Sequence, residues 1–518
     1  MAPYWESPFN LIPLQKGHPV MVNENIAKFM ESFPHEALTF NDVSMEVYYA
    51  DFLPGEAKTV SKFSRNISVN LPFISAAMDT VTEAKMAIAM AKLGGIGVIH
   101  KNLTPKAQAE QAAAVKHYLN GMIEKPVTFQ KGQKVYEIIA ERSNRNYKFN
   151  GFPILDEDGK LCGLFTNRDQ KFMTSYDRPV EEVMTTKLIT APKGTDMQTA
   201  LKLMLENKVG KLPLVDADGR LAGLYSLQDV RTLIDKMEPN YNRDAQHRLR
   251  VAAAVGIFDA ERIEALVRVG TDALIVDSAH GHSKNVMDTV REIKRQYPQV
   301  DVVAGNVCTT EGARAMLECG ADAVKVGIGP GSICTTRVVA GVGIPQLTAI
   351  YNAYKGVGNE IPIIADGGIA HSGDVAKALA VGASTVMMGS ALAGTEECPG
   401  ERILHQGRTY VIYRGMGSVD AMRHGKGSRE RYGVSAETSE SKLVPQGIEG
   451  MIPFRGSVAD VVNQYAGGLR FSLGYLGART IPELQEHARF WRISASGLQE
   501  AHPHNVIMQK DAPNYSAS

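Results

Sequence analysis

Eight short apolar runs constrain the fold more than any other feature of this chain. Their apolar residues are continuous rather than alternating, so each run is predicted to be a strand buried on both faces, as in parallel β/α structure. Most are joined by amphipathic segments such as 261–269 and 312–319. Eight such units predict an α/β fold, a closed (β/α)₈ barrel of the TIM type. The predicted strands are Leu71–Ala77, Gly95–Ile99, Val251–Val255, Ala273–Val276, Val300–Ala304, Ala323–Val326, Ile361–Ala365 and Ser384–Met388.

An internal repeat interrupts the barrel pattern after its second unit. Pro153 and Gly163 recur as Pro213 and Gly223, 60 residues later, within matching segments that begin at residues 151 and 211. Each copy reads as strand, Asp-x-Asp-Gly turn and strand, which is a hairpin pattern. A calcium loop is disfavoured because no glutamate closes a twelve-residue loop. Two copies are too few for a solenoid, so they are predicted to pack as a pseudo-symmetric pair.

Polar or glycine residues follow almost every predicted strand at its carboxyl end. In a barrel these residues converge on one rim, where the loops after strands seven and eight often hold phosphate. Asp366-Gly367-Gly368 and Met388-Gly389-Ser390 occupy those two loops. Their glycine N–H groups can bind phosphate, and Asp366 can accept hydrogen bonds from a ribose diol. Tight turns alone explain either motif, but the two together predict a mononucleotide site.

One cysteine, Cys334, lies on the glycine-rich loop 327–336 that follows the sixth strand. Glycine lets a ligand approach the backbone closely, and a cysteine thiolate is a strong nucleophile. A small buried core residue is the alternative interpretation of an isolated cysteine. The glycines and threonines around Cys334 favour catalysis.

Composition excludes several classes of protein. Lysine plus arginine balances aspartate plus glutamate at 56 each, so no global charge recruits nucleic acid. Five cysteines without C-x-x-C spacing disfavour a disulfide framework or zinc site, and His280 and His282 lack a third ligand. No signal peptide or membrane-spanning run is present in the sequence. We therefore expect a cytoplasmic protein that needs neither nucleic acid nor a membrane.

Four segments resemble motifs of the inosine-5′-monophosphate (IMP) dehydrogenase family: the Cys334 loop and residues 75–83, 365–369 and 413–418. The resemblance covers the chain from about His35 to the C-terminus. Residues 114–236 resemble tandem CBS motifs, with copies at about 120–177 and 180–236. The implied organisation is a barrel formed by 35–113 and 237–518, an inserted CBS pair, and an N-terminal extension, 1–34, of unassigned role.

The resemblance implies oxidation of IMP to xanthosine 5′-monophosphate (XMP) by NAD⁺, with potassium. Cys334 matches the nucleophile that adds to C2 of the purine, giving a covalent intermediate. Arg431 and Tyr432 match a dyad on a mobile flap, about 417–446, with Arg431 as general base and Thr336 positioning water. Arginine is an unusual base because its pKa exceeds about 12. On physical grounds alone, Arg431 reads as a phosphate or carboxylate partner.

Ligand contacts follow from the same resemblance. No G-x-G-x-x-G opens a helix after a strand, so NAD⁺ is not expected on a dinucleotide-binding fingerprint. The implied IMP contacts are Ser332, Asp366, Gly367, Gly368, Met387, Gly389, Ser390, Tyr413, Gly415, Met416, Gly417 and Gln446. The implied NAD⁺ contacts are Asp277, Ser278, Ala279, Asn306, Gly327, Gly329 and Tyr475. The implied potassium ligands are carbonyls of Gly329, Gly331 and Cys334, with Glu500, Ala501 and His502 from a neighbouring subunit.

A shared potassium site implies an oligomer, a homotetramer with an octamer possible. In the CBS pair, Asp169 and Asp229 match ribose ligands of a purine nucleotide such as ATP, GTP or GDP. The alternative is that both aspartates cap the helices that follow. Two other functions stay open: an NADPH-dependent GMP reductase, whose family members generally lack the Arg-Tyr dyad, and a nucleotide-sensing scaffold with an inactive barrel.

Overall fold

Eight parallel strands close into a barrel in the computed structural model. It describes residues 23–118, 122–123, 126–144, 151–171, 173, 175–235, 240–246, 248–435, 438–506 and 514–515. Consecutive strands of the chain are neighbours in the barrel, and the eighth strand pairs with the first to close it. The strands are β1 (Phe73–Ser75), β2 (Ile96–Ile99), β3 (Val251–Val255), β4 (Ala273–Asp277), β5 (Asp301–Val307), β6 (Ala323–Val326), β7 (Ile363–Asp366) and β8 (Thr385–Met388). The predicted (β/α)₈ fold is confirmed.

The strands are apolar throughout because both of their faces are buried. Along β3, Ala252 and Ala254 point into the barrel, whereas Val251, Ala253 and Val255 pack outward against the helices. The interior also contains Ile74, Ile96 and Ile275 from other strands, so it is a packed core and not a pore. The chemistry must therefore lie at an end of the barrel.

Eight helices surround the strands. The last of them packs against the first and the seventh, which completes the outer ring. The helices are α1 (Ala84–Lys92), α2 (Pro105–Lys116), α3 (Ala260–Arg268), α4 (Lys284–Gln296), α5 (Thr310–Glu318), α6 (Gln346–Val357), α7 (Ser372–Ala380) and α8 (Val458–Tyr475).

Six of the eight strands differ from their predicted boundaries, and β1 and β5 differ most. β1 is Phe73–Ser75, shorter than the predicted Leu71–Ala77, because Ala76 and Ala77 already belong to the rim of the cavity described below. β5 runs through Gly305 and Asn306 to Val307 instead of ending at Ala304. The parallel ladder continues past the apolar run, so Asn306 is a strand residue.

Between β2 and β3 the repeat forms two hairpins of the predicted kind. Phe152–Leu155 pairs with Leu161–Phe165, and Lys211–Val215 pairs with Leu221–Ser226. The two turns meet in an isolated antiparallel bridge between Lys160 and Arg220. The helices that follow are Asn167–Gln170 and Leu227–Asp235, so each begins two residues before the predicted aspartate. The remaining elements of this region are Met122–Ile123, Phe129–Gln130, Val135–Asn144, Val180–Glu182, Ala191–Pro192 and Met197–Glu206.

The N-terminal extension is described from residue 23, and the prediction for 1–22 lies outside the described residues. Its helix, Glu24–Glu31, buries Ile26 and Met30 in the core shared with the barrel helices. No helix among the described ranges is both long and apolar enough to cross a membrane. The other elements are Phe40–Asp42, Val43–Met45, Pro54–Glu56, Ser61–Lys62, Ser68–Val69, Thr336–Val339, Arg402–His405, Arg408–Arg414, Val419–His424, Lys426–Arg431, Glu440–Lys442, Glu449–Pro453, Ile481–His487, Phe490–Arg492 and Ala495–Ala501.

Candidate active site

A cavity of about 850 Å³, counting its open mouth, lies at the carboxyl rim of the barrel. The loops after β6, β7 and β8 form its wall, and the segment 413–446 covers it. The predicted site residues that line it are Asp277, Asn306, Gly327, Gly329, Gly331, Ser332, Cys334, Asp366, Gly367, Gly368, Met387, Gly389, Ser390, Tyr413, Gly415, Met416, Arg431, Tyr432 and Gln446.

Cys334 faces this cavity from a tight turn. Its backbone N–H donates to the Gly331 carbonyl at 3.0 Å, and its Sγ lies 3.1 Å from the Thr336 hydroxyl. The turn pairs with the end of the covering segment, because the Thr335 N–H donates to the Gln446 carbonyl at 3.1 Å. The half-buried thiol is therefore held in place and open to a ligand, as a nucleophile must be.

A buried lysine joins three strand ends beneath the cavity. Lys325 on β6 lies 2.6 Å from the Asp366 carboxylate on β7 and 3.0 Å from the Asp277 carboxylate on β4, and it also donates to the Asn306 side chain. The Asn306 amide donates to Asp366 at 2.9 Å. This network fixes two carboxylates at the cavity wall, where each can accept hydrogen bonds from a sugar hydroxyl.

The two glycine loops contribute backbone to the wall on the far side of Cys334. Gly367 and Gly368 have φ values of +88° and +81°, which side chains other than glycine rarely adopt. A Cβ added to Gly389 would lie 3.0 Å from the Tyr413 hydroxyl, so only glycine fits beneath this ring. Burial raises the pKa of Tyr413, although a hydrogen bond with Ser332 acts against that rise. Tyr413 therefore stays a neutral hydrogen-bonding group beside Gly389.

Arg431 enters the cavity from a helix of the covering segment. Its guanidinium forms an ion pair with Asp277, and its carbonyl accepts the Ala279 N–H at 3.0 Å. Its buried Nε has no hydrogen-bond partner among the described residues, which is costly for a cationic group and leaves a donor available. Burial raises the pKa of the neighbouring Tyr432, whose ring packs against Gly417.

Other predicted site residues lie beside the cavity or away from it. Thr336 contacts Cys334, and Ser278 and Ala279 follow Asp277 directly. Tyr475 ends α8 with 66% of its surface exposed, and it is not among the residues that line the cavity. The segment with Glu500, Ala501 and His502 lies elsewhere, with the His502 ring 5.9 Å from that of His371.

The two aspartates of the repeat differ from each other. The Asp169 carboxylate accepts the Thr166 N–H at 2.7 Å and the Thr185 hydroxyl at 3.1 Å, so it forms a capping box at its helix. Asp229 is exposed on the third residue of the helix Leu227–Asp235. A small cavity of about 230 Å³ lies beside the first helix, lined by Arg142 and Thr166 among others.

Sequence reasoning did not identify Lys325 as a site residue. It lies within an apolar run, Ala323–Val326, and that run was interpreted only as a strand. A lysine with 2% exposure in such a run is itself a signal, because a buried charge requires partners. Asn102 and Lys101 follow β2, and their contacts with the covering segment depend on tertiary structure alone.

The comparisons with known proteins agree with this geometry. The model of the IMP dehydrogenase / GMP reductase domain matches residues 37–504. Inosine-5′-monophosphate dehydrogenase of Aquifex aeolicus (strain VF5) is 51% identical over 486 residues, which cover 93% of this chain and 98% of that protein. The enzyme of the same name from Helicobacter pylori (strain J99) is 50% identical over 481 residues, or 92% and 98% of the two chains.

A solved structure shows the same fold. A crystal structure of a GMP reductase variant from Trypanosoma brucei, in complex with guanosine 5′-monophosphate, superposes with a TM-score of 0.79. It is 34% identical in sequence and covers 91% of this chain and 98% of that chain. The cysteine loop, the glycine loops and the extent of these matches together establish that this chain belongs to the IMP dehydrogenase / GMP reductase family.

Proposed function

We propose that this chain is an IMP dehydrogenase, which oxidises IMP to XMP with NAD⁺ in guanine nucleotide synthesis. The observation that carries the proposal is the placement of Arg431 and Tyr432 in the cavity that Cys334 faces. A dehydrogenase must hydrolyse a covalent intermediate and so needs a group that accepts a proton from water. The alternative, reduction of GMP with NADPH, does not require water activation, and no contact of this site favours it.

The nucleotide lies across the rim in this proposal. The glycine loops at Gly367–Gly368 and Gly389–Ser390 supply N–H groups for the phosphate. Asp366 accepts hydrogen bonds from the ribose hydroxyls, and Lys325, 2.6 Å away, holds that carboxylate in place. The base then lies over the Cys334 turn, with Met416 and Gln446 on the covering side.

Oxidation begins with Cys334. The Sγ thiolate adds to C2 of the purine, and the hydride at C2 leaves for NAD⁺, so the substrate loses two electrons and remains attached to sulfur. Addition first is favourable because the adduct is a better hydride donor than the aromatic ring. The Thr336 hydroxyl, 3.1 Å from Sγ, can donate a hydrogen bond to the thiolate.

Hydrolysis completes the reaction. Water attacks C2, a neutral Arg431 guanidine that has first released its own proton to solvent accepts the proton of the water, and the C–S bond breaks to release XMP and the Cys334 thiolate. Arg431 lines the cavity that Cys334 faces, and the Thr336 hydroxyl contacts the Cys334 Sγ, so both can orient that water.

NAD⁺ can contact only part of the cavity wall while Arg431 occupies Asp277. Asp277 is the group that the resemblance places at the nicotinamide ribose, and a ribose diol suits a carboxylate acceptor. Arg431 holds that carboxylate in the structure. NAD⁺ and the Arg431 helix therefore compete for Asp277. NAD⁺ contacts this residue during hydride transfer, and Arg431 contacts it during hydrolysis.

Potassium and oligomer formation belong to the proposal as well. Carbonyl oxygens on the Gly329–Cys334 turn are the kind of donors that bind K⁺. The remaining carbonyls, of Glu500, Ala501 and His502, come from a second copy of the chain. A homotetramer, or an octamer of two tetramers, supplies such neighbours, and it also places Tyr475 at a subunit boundary near the adenosine half of NAD⁺.

A purine nucleotide on the repeat pair is the last part. The capping contacts of Asp169 must loosen for its carboxylate to bind a ribose, whereas exposed Asp229 is free of that requirement. We therefore propose Asp229 as the primary ribose contact for ATP, GTP or GDP. The domain boundaries and the cytoplasmic location stay predictions.

Absorbance of NADH tests the function. Purified protein with IMP, NAD⁺ and KCl is expected to form NADH, while GMP with NADPH gives no loss of absorbance. Replacing KCl with NaCl is expected to lower the rate. Consumption of NADPH with GMP, and no NADH from IMP, would overturn the proposal in favour of the reductase. Inactivity in both assays would favour a sensing scaffold.

A further inference from the structure

The flap helix, Lys426–Arg431, carries Arg431 and rests on the loop after β2. Asn102 on that loop is its main polar contact. The Asn102 Nδ2 lies 2.8 Å from the Ser428 hydroxyl and 3.3 Å from the Ala421 carbonyl, and the Asn102 Oδ1 accepts the Ser428 N–H at 2.8 Å. One side chain thus holds both the first turn of the flap helix and the helix before it.

The barrel fixes the orientation of Asn102 in turn. Its Nδ2 donates to the Asp79 carboxylate at 2.9 Å, and Asp79 is itself held by two nitrogens of Arg414, at 3.2 and 2.8 Å. Asp79 has an exposed side-chain fraction of only 6%. Because the acceptor is charged and buried, this hydrogen bond is stronger than one between neutral groups. The Asn102 side chain is therefore held in one orientation, with its remaining hydrogen bonds directed at the flap helix and the helix before it.

The fit between the flap helix and this loop is close. A Cβ built on Gly427 would lie 2.6 Å from the Lys101 carbonyl oxygen, and one on Gly425 would overlap the Asn102 side chain. Glycines at both positions let the helix backbone approach the loop directly. Ser428 is three residues before Arg431, one helical turn away, so fixing Ser428 sets the direction in which Arg431 points.

We propose that Asn102 is a positioning residue, which seats the flap helix so that Arg431 reaches the hydrolysis site. The inference rests on the proposed function, because it assigns Asn102 to the second half-reaction alone. Hydride transfer takes place while Arg431 is away from Asp277. Loss of the contacts between Asn102 and the flap helix therefore slows hydrolysis and leaves hydride transfer intact.

Stopped-flow measurement of NADH separates the two steps. With Asn102→Ala, the burst of one NADH per site is expected within about twofold of wild type. The steady-state rate falls about tenfold or more, since a charge-assisted hydrogen bond changes an equilibrium by roughly that factor. Acid quenching with labelled IMP is expected to trap more covalent adduct. The apparent KM for NAD⁺ falls or stays the same, because the flap helix competes less for Asp277.

A second variant guards against simple misfolding. Ser428→Ala removes only the hydroxyl partner and is expected to slow hydrolysis less than Asn102→Ala does. Combined with Asn102→Ala, it adds less than its own separate effect, because both changes break the same contact. Independent, additive effects of the two substitutions would overturn the proposal.

Asn242→Ala is the matched control. Asn242 is a buried asparagine beside β2, whereas Asn102 is half-buried, and the Asn242 amide donates to the Gly95 carbonyl at 2.9 Å, at the opposite end of that strand. It is expected to lower thermal stability without changing the ratio of burst rate to steady-state rate. An equal loss of burst and steady state in Asn102→Ala would make Asn102 a structural residue only. Absence of NADH from the wild-type protein would instead reject the function itself.

Discussion

The amino end of the barrel buries Lys116 and the carboxyl end buries Lys101, and the two lysines differ in the groups that they contact. Lys116, at the end of α2, lies 2.9 Å from the Asp244 carboxylate and 2.8 Å from that of Asp272. Lys101, on the loop after β2, donates to the carbonyls of Asp277 at 2.9 Å and Val255 at 3.4 Å. No carboxylate of the described residues lies within ion-pair distance of Lys101. At the amino end the buried Lys116 is paired with carboxylates, whereas the reactive end holds Lys325, which is paired with carboxylates, and Lys101, which is not.

The reason is the free energy needed to bury a charged ammonium group. Carboxylate partners offset that free energy, but the loss of one partner is then strongly destabilising. With carbonyl partners alone it favours the neutral form. Burial and the charge of Arg431 lower the pKa of Lys101 to about 7, while Glu430 acts against the shift. Lys101 thus titrates near neutral pH beneath the flap helix, whereas Lys116 anchors the chain where it leaves the barrel for the inserted repeats.

The largest expected effect is at the reactive end. Cys334→Ala removes the nucleophile, so NADH formation from IMP is expected to fall by at least about a thousandfold. The melting temperature and the binding of IMP should stay close to wild type. Rate assays, thermal unfolding and calorimetric titration with IMP measure the three quantities.

Cys319→Ala is the control for this substitution. Cys319 is buried after α5, and burial raises its pKa to about 11. It is expected to retain activity and to lose stability. Full activity in Cys334→Ala would refute the covalent mechanism.

Lys325→Met tests whether paired charge at the reactive end is also functional. The change leaves the carboxylates of Asp277 and Asp366 buried without their shared cation. We expect kcat/KM for IMP to fall about a hundredfold, in line with losses of 2–5 kcal/mol for broken buried charge pairs. Initial-rate kinetics over a range of IMP concentrations measure it. A loss of stability with unchanged kcat/KM would place Lys325 with Lys116 as purely structural.

Lys116→Met is expected to lower the free energy of unfolding by about 3 kcal/mol, because it leaves the largely buried Asp272 carboxylate without a cationic partner, although Asp244 keeps its ion pair with Arg248. The kcat of the folded protein should not change. Chemical denaturation and rate assays below the transition distinguish the two. Lys202→Met is the surface control, since Lys202 and Glu206 are exposed and 3.9 Å apart, and it should cost less than about 1 kcal/mol. A fall in the kcat of fully folded Lys116→Met would contradict a purely structural role for the lysine at the amino end.

Lys101→Met is expected to have little effect on stability at pH 7 and a larger one as the pH rises. The folded-state pKa of about 7 lies below the ordinary value of 10.5, so the unfolded chain binds more protons between these two values. Wild-type stability therefore gains from Lys101 as pH rises from 7 towards 10.5, by at most about 1.4 kcal/mol per pH unit. The variant lacks this gain. Melting temperatures at pH 7 and 9 measure it, and equal shifts in both proteins would contradict the lowered pKa.

Much of the barrel could be predicted because its strands are buried on both faces. That burial makes Val251–Val255 apolar at every position, and no other element produces so short and continuous a run so often. The glycine loops could also be predicted from the sequence, because a ligand that approaches the backbone closely requires glycine. The capping role of Asp169 depends on its place as the third residue of its helix, which the sequence pattern does not specify.

What the sequence alone determined is local: eight buried strands, two hairpins, and a cysteine and two glycine loops at strand ends. These depend on periodicity and backbone conformation, which neighbouring residues decide. The tertiary structure decided which distant side chains meet. Lys325 reaches Asp366 across 41 positions, and Asn102 reaches Ser428 across 326. Such contacts arise only when barrel closure brings strand ends to one rim, because the chain holds no local pattern that pairs them.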